Sequence, residues 1–105
     1  MERGLNDVVR IQKFAHGGFQ ALHTDRSIRV QHSVSKYSLR IFLNDEKSFQ
    51  GGLSVFHVPF EEPVVFQPTV GMALLYPQGE LCTPQEETEV TFGTKYVLRA
   101  DVLFH

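Results

Sequence analysis

The first residues that could carry chemistry are a histidine and an aspartate two positions apart, His23 and Asp25. On a β-strand, residues i and i+2 project to the same face, so one imidazole and one carboxylate can meet a single cation. A third ligand from a distant strand would complete the two-histidine, one-carboxylate face that holds iron(II) and leaves other coordination positions open. The pair alone is a weak signal, because a surface histidine beside a turn aspartate has the same spacing. Its meaning depends on the elements that position it.

The elements predicted around this pair are short β-strands. Runs rich in Val, Ile, Leu, Phe and Tyr are bounded by Gly, Pro, Asn or Asp, and no segment keeps a helical period over three turns. We predict eight strands, at residues 8–14, 21–24, 37–43, 53–58, 64–67, 73–76, 89–92 and 95–104. Glycine-containing turns separate these runs. The pattern predicts a mainly β protein, either a sandwich or a barrel.

The predicted strand 37–43 has two different faces. Alternation places Leu39, Ile41 and Leu43 on one face and Arg40 on the other, beside Ser38. Arg40 is therefore expected to point either to solvent or into a polar cleft.

Composition limits the classes of protein that the chain can represent. With 105 residues it forms at most one small domain, which we place at residues 1–105. A hydrophobic fraction of 42% supports a packed core, and the single cysteine provides neither an internal disulfide nor a cysteine-based metal site. We recognise no signal peptide, transmembrane segment or nucleic-acid motif. The expectation is a soluble, cytoplasmic protein without nucleic-acid or membrane partners.

Four further segments follow the His23-Thr24-Asp25 motif in a specific order. They are SLRIFLND at 38–45, GGLSVF at 51–56, QPTVGMALLY at 67–76 and VTFGTKYVLRADVLF at 90–104. In order and spacing this set resembles the prolyl 4-hydroxylase-like branch of the 2-oxoglutarate and iron(II)-dependent oxygenases. The resemblance covers nearly the whole chain, from about residue 5 to residue 104.

The resemblance implies a double-stranded β-helix, which is a jelly-roll or cupin-like fold, with Fe(2+), 2-oxoglutarate and ascorbate as cofactors. His23 and Asp25 correspond to the first two iron ligands of the family. Lys95 corresponds to the basic residue that pairs with the far carboxylate of 2-oxoglutarate, and Arg99 is a weaker candidate for the same role. Gln12 stands where the family often has a tyrosine that hydrogen-bonds the cosubstrate. The substrate would be a peptidyl group or a small molecule.

The sequence departs from the family at the third iron ligand. The distal histidine is expected ten residues before Lys95, and that position holds Gln85. An amide oxygen is a poorer ligand for iron(II) than imidazole. Glu86 could serve instead if the predicted loop 81–88 is rearranged, although the acidic residues of this loop could simply be solvated.

We also expect a second departure, in which the N-terminal helices that support the larger sheet in the family are largely absent. An uncovered apolar sheet face would favour a homodimer.

The sequence leaves three functions open. The first is a dioxygenase that hydroxylates a C–H bond and converts 2-oxoglutarate to succinate. The second is a catalytically impaired pseudo-oxygenase that acts as a binding or structural module, and the third is an unrelated jelly-roll binding module.

Overall fold

The computed structural model describes residues 3–104, and residues 1, 2 and 105 lie outside this description. The described part of the chain contains twelve strands and one short 3-10 helix at Gly79–Leu81. The strands are β1 (Arg3–Leu5), β2 (Arg10–Phe14), β3 (Gln20–His23), β4 (Arg29–Val30), β5 (Ser33–Phe42), β6 (Phe49–Gly51), β7 (Ser54–Phe56), β8 (Val64–Phe66), β9 (Ala73–Pro77), β10 (Gln85–Glu87), β11 (Val90–Gly93) and β12 (Lys95–Phe104).

Two antiparallel sheets form the body of the fold. In the larger sheet the long strands β5 and β12 pair at the centre, with β1 and β2 along the free side of β12 and with β4 and β9 along the free side of β5. The smaller sheet has the order β3-β10-β7-β8, and β6 pairs with β11 in a separate ribbon. The chain crosses repeatedly between the two sheets, for example from β2 to β3 and back to β4, and from β8 to β9 and back to β10. The fold is a jelly roll, as predicted.

The interior contains two apolar clusters with charged side chains between them. One cluster is Phe14, Phe42, Phe49, Val90 and Val97, and the other is Phe56, Tyr76 and Cys82. Lys95 lies over the ring of Phe14 at 4.6 Å, and Arg40 lies over the ring of Tyr76 at 5.3 Å. Both cations are buried, at 0% and 3% exposure. Burial of charge on this scale is strongly unfavourable unless the charges are paired, so the interior must supply partners.

Strand β5 shows how the two faces of the larger sheet are divided. Arg40 and Phe42 point into the interior, whereas Leu39 and Ile41 lie on the outer face and are partly exposed. The sequence left two positions open for Arg40, in solvent or in a polar cleft, and in the structure Arg40 lies in the cleft.

The outer face of the larger sheet is apolar across several strands. Leu98 is paired with Ile11 on one side and with Ile41 on the other, and Leu39 is paired with Leu75. The side chains of Ile11 and Leu75 are 58% and 64% exposed. Within residues 3–104 no helix covers this face, and none is long and apolar enough to cross a membrane.

The observed strands include four that were not predicted, namely β1, β4, β6 and β10. Residues 81–88 were expected to form a loop, but residues 85–87 form β10 between β3 and β7. The polar sequence Gln85-Glu86-Glu87 does not indicate a strand, because Glu is uncommon in strand interiors. The segment is a strand because it pairs with β3 on one side and with β7 on the other. The acidic residues of this segment are consequently not all solvated, since Glu87 is 2% exposed.

Candidate functional site

His23 is the last residue of β3, and Asp25 follows it on the same side of the chain. The His23 Nδ1 atom lies 2.8 Å from the carbonyl oxygen of Ala21, so Nδ1 is the protonated nitrogen. In the neutral ring the Nε2 atom then presents a lone pair, and it lies 3.3 Å from Oδ1 of Asp25. Two acceptor atoms that face each other in this way suit a shared cation, or a protonated imidazole.

The other oxygen of Asp25 is held by three donors. Oδ2 accepts hydrogen bonds from the Ser38 hydroxyl at 2.7 Å and the Tyr76 hydroxyl at 2.8 Å, and it pairs with Arg99 Nη2 at 3.0 Å. Burial acts to raise the pKa of Asp25, but the hydrogen bonds from Ser38 and Tyr76 and the charges of Arg99 and His23 outweigh it, so the pKa is lowered. Asp25 is therefore a fixed carboxylate, oriented with Oδ1 toward His23.

Tyr76 is held as a neutral hydrogen-bond donor in this network. Burial is the main cause that raises the pKa of its phenol to about 12, and the nearby Asp25 carboxylate acts in the same direction. Its ring also lines an apolar cavity of about 240 Å³ with Phe56, Phe66 and Leu74. Tyr76 joins this cavity to the Asp25 network, because its hydroxyl donates to Asp25 Oδ2.

Gln85 stands directly opposite His23 in the paired strands β10 and β3. Side chains of paired residues project to the same side of a sheet, so position 85 faces the His23 side chain. The amide is 1% exposed, and its Oε1 accepts a hydrogen bond from Arg40 Nη2 at 2.7 Å. Its Nε2 lies 3.7 Å from the Cys82 sulfur. The oxygen that could have faced a metal is thus engaged by a guanidinium group.

Arg40 joins this end of the site to a second buried group. Its Nη2 donates to Gln85, and its Nη1 forms an ion pair with Oε1 of Glu87. The rings of Phe56 and Tyr76 lie 5.7 and 5.3 Å from its guanidinium carbon. The planar fork of arginine is suited to bridging two oxygen acceptors while it stacks on aromatic faces. Arg40 therefore fixes the positions of both Gln85 and Glu87.

Lys95 is paired with Glu87 rather than left free for a ligand. Its Nζ donates to Glu87 Oε2 and to the carbonyl oxygen of Gly52, each at 2.9 Å. Gly52 has φ of +60°, and a Cβ there would lie 3.3 Å from Lys95 Cδ, so glycine lets the backbone approach the lysine. Burial and the positive charge of Arg40 lower the pKa of Lys95, while the Glu87 carboxylate favours the ammonium form.

The remaining predicted site residues lie apart from this pair. Glu86 is on the opposite face of β10 from its neighbours, where its Oε2 lies 3.2 Å from His57 Nε2. Arg99 contacts Asp25, not the partner of Lys95. Gln12 is half-buried on β2, on the same face as Phe14, and is paired with Val97. Its role as a cosubstrate ligand stays a prediction.

Sequence reasoning missed Arg40 and Glu87 as parts of the site. A signal for the first was present, because alternation along β5 set Arg40 opposite the aliphatic face. For the second, the spacing of Gln85 and Glu87 would place them on one face of a strand, but that signal required recognition of β10.

No protein-family model and no curated protein sequence matches this chain, whereas several solved structures resemble it. A 2OG-Fe(II) oxygenase family oxidoreductase from Burkholderia pseudomallei is 20% identical with a TM-score of 0.76, and the match covers 99% of this chain and 46% of that one.

Two prolyl hydroxylases show the same likeness. The prolyl-4-hydroxylase of Pseudomonas putida is 18% identical with a TM-score of 0.71, covering 89% of this chain and 50% of that one. A viral collagen prolyl hydroxylase from Paramecium Bursaria Chlorella virus-1, solved in complex with 2OG, is 16% identical with a TM-score of 0.74, covering 99% of this chain and 62% of that one. The chain thus spans about half the length of these proteins. It has the jelly-roll fold of the 2-oxoglutarate and iron(II)-dependent oxygenases, in agreement with the sequence resemblance.

The side chains of this chain do not fit the iron and 2-oxoglutarate that the fold implies. Two donor atoms, on His23 and Asp25, face a common point, but the amide oxygen of Gln85 opposite them is taken by Arg40. Within residues 3–104 no group of three or more His, Cys, Asp or Glu side chains could hold a metal ion. The lysine expected to meet the cosubstrate already has a carboxylate partner.

Proposed function

We propose that this chain is a catalytically impaired oxygenase-fold module, in which the site of the oxygenase fold is occupied by the chain's own polar side chains. The observation that carries the proposal is the Gln85–Arg40 hydrogen bond of 2.7 Å opposite His23. A carboxamide that is buried and bound to a guanidinium cannot turn its oxygen to a metal without leaving Arg40 Nη2 without its acceptor, which is unfavourable for a buried charged donor.

The module would keep a weak site for a divalent cation. His23 Nε2 and Asp25 Oδ1 provide one nitrogen and one oxygen donor, and Asp25 is held as a carboxylate by its other oxygen. Two protein ligands hold a metal less tightly than three, because each ligand contributes a separate contact. Such a site binds a cation without fixing the reactive geometry of an oxygenase.

The second candidate is an active 2-oxoglutarate- and iron(II)-dependent dioxygenase that hydroxylates a C–H bond of a peptidyl or small-molecule substrate and forms succinate. The 3.3 Å approach of His23 and Asp25 favours this candidate, as does the likeness of fold to prolyl hydroxylases. It requires a third ligand, from Gln85 or Glu86, after local rearrangement.

Succinate formation separates the two candidates. The chain is incubated with iron(II), 2-oxoglutarate and ascorbate, and succinate is measured by mass spectrometry against a reaction with His23→Ala. This assay needs no substrate, because uncoupled turnover also yields succinate. We expect equal, background succinate from both proteins. Succinate that the parent forms and the variant does not would establish the dioxygenase.

Metal binding tests the residual cation site. Manganese(II) titration of the parent, followed by the paramagnetic signal of the free ion, is compared with His23→Ala and with His57→Ala as the matched control, because His57 pairs with Glu86 away from the site. We expect His23→Ala alone to lose the weak binding. Unchanged binding in His23→Ala would remove this residue from the site.

A further inference from the structure

The side chain of Glu87 is surrounded by three donors in the interior of the jelly roll. Its Oε1 pairs with Arg40 Nη1, and its Oε2 accepts from Lys95 Nζ at 2.9 Å and from the Ser54 hydroxyl at 2.7 Å. The carboxylate is 2% exposed, and Lys95 and Ser54 are fully buried. Two cations and a hydroxyl that converge on one point form a subsite for a carboxylate group.

The donors of this subsite are fixed before any carboxylate enters it. Arg40 is held by the rings of Phe56 and Tyr76 and by Gln85, none of which involves Glu87. Lys95 is held by the carbonyl oxygen of Gly52 and lies over the ring of Phe14. Removal of the Glu87 side chain would therefore leave a shaped cavity with two positive charges rather than a collapsed core.

A carboxylate supplied by the chain itself competes strongly with one from solution. Glu87 is the last residue of β10 and is paired with Ser54 of β7, so its carboxylate is held beside its partners by the fold. A tethered group of this kind acts at an effective concentration of millimolar or more. An external carboxylate would have to expel Glu87 from a site that excludes water.

We propose that Glu87 is a tethered carboxylate ligand that fills a small-carboxylate subsite formed by Arg40, Lys95 and Ser54. The folded chain therefore takes up no external 2-oxoglutarate at Lys95, and a variant without the Glu87 side chain binds a small monocarboxylate such as acetate in its place. This inference concerns the anion subsite, and it goes beyond the impaired turnover proposed above.

The test is a chemical rescue of Glu87→Ala. Thermal unfolding of the parent and the variant is measured in sodium acetate and in sodium chloride of equal ionic strength. We expect Glu87→Ala to unfold at lower temperature than the parent in chloride. Acetate at ten times its Kd should then raise the midpoint of the variant by about 5 °C or more, in a saturable manner.

Matched variants locate the effect. Glu86→Ala removes a carboxylate from the same strand but from its opposite face, and Glu87→Gln keeps the cavity filled with a neutral group; neither should respond to acetate beyond chloride. The double variant Glu87→Ala/Lys95→Met should lose the response, because it lacks one of the two cations. A response of equal size in the double variant, or no response in a folded Glu87→Ala, would overturn the proposal.

Folding of the variant does not limit the test. If Glu87→Ala is unfolded in chloride, the refolding yield in acetate is compared with that in chloride by circular dichroism. A higher yield in acetate supports the subsite, and an equal yield in the two salts overturns it.

Calorimetric titration of the parent with 2-oxoglutarate completes the experiment. We expect no binding below about 10 mM, a range in which the tethered group still competes. Tighter binding that Lys95→Met abolishes would overturn the inference. That result without succinate formation would leave the proposed impaired function intact, so the two proposals fail separately.

Discussion

Replacement of Gln85 by histidine should build a third metal ligand beside His23 and Asp25. Gln85 and His23 are directly paired, and Cβ atoms of such pairs lie about 4.5–5.5 Å apart. An imidazole at position 85 therefore reaches the point that His23 Nε2 and Asp25 Oδ1 share. We expect the affinity for manganese(II) to rise by about tenfold or more, which corresponds to about 1.4 kcal/mol or more of binding free energy.

The same substitution should weaken the metal-free protein. Arg40 Nη2 loses the amide oxygen to which it donates at 2.7 Å, and a buried charged donor without its acceptor costs about 1–3 kcal/mol. The free energy of unfolding should fall by that amount in the presence of a chelator. Manganese(II) at a hundred times its Kd should then add about 2.7 kcal/mol.

Urea unfolding in chelator and in manganese(II) measures both effects. The matched control is Glu86→His, which adds an imidazole to the same strand on the face that points away from His23. It should leave metal affinity unchanged. If Gln85→His folds with the parent's metal-free stability and the parent's response to manganese(II), position 85 does not face the His23–Asp25 pair and the reasoning fails.

Three further outcomes are expected. Arg40→Met should lower the free energy of unfolding by about 3–5 kcal/mol in urea titrations, because it leaves the buried Glu87 with one cation instead of two; a loss below 1 kcal/mol would contradict the ion-pair network. The pKa of Lys95 is lowered to about 7 from its ordinary 10.5, so between these two pH values the folded chain binds fewer protons than the unfolded chain. The free energy of unfolding of the parent should therefore rise from pH 7 to 10.5 relative to that of Lys95→Met. A parallel pH dependence of the two proteins would exclude the pKa shift. The apolar outer face predicts a homodimer, and Leu75→Lys should shift sedimentation toward the monomer, whereas a parent that is monomeric at all concentrations would exclude it.

The fold class and the strands that carry His23 and Lys95 followed from the sequence. The role of His23 and Asp25 as metal ligands stays a prediction. The predicted strand that ends at His23-Thr24-Asp25 and the predicted strand that begins at Lys95 are both present, at nearly the predicted bounds. Local signals are enough to predict these strands, because period-2 alternation and glycine turns depend only on residues close together in the sequence. The spacing of ten residues before Lys95 picked out position 85, and the structure pairs Gln85 with His23.

Only the tertiary structure decided which charged residues are buried and with whom they pair. Nothing local distinguishes Glu87, which is buried between two cations, from Glu86, which is half-buried and pairs with His57. The difference arises from the register of β10 against β3 and β7, because a shift of one residue would exchange the two faces. The partners Arg40 and Lys95 lie on β5 and β12 of the larger sheet, whereas Glu87 lies on β10 of the smaller sheet. The network therefore forms only when the two sheets pack against each other.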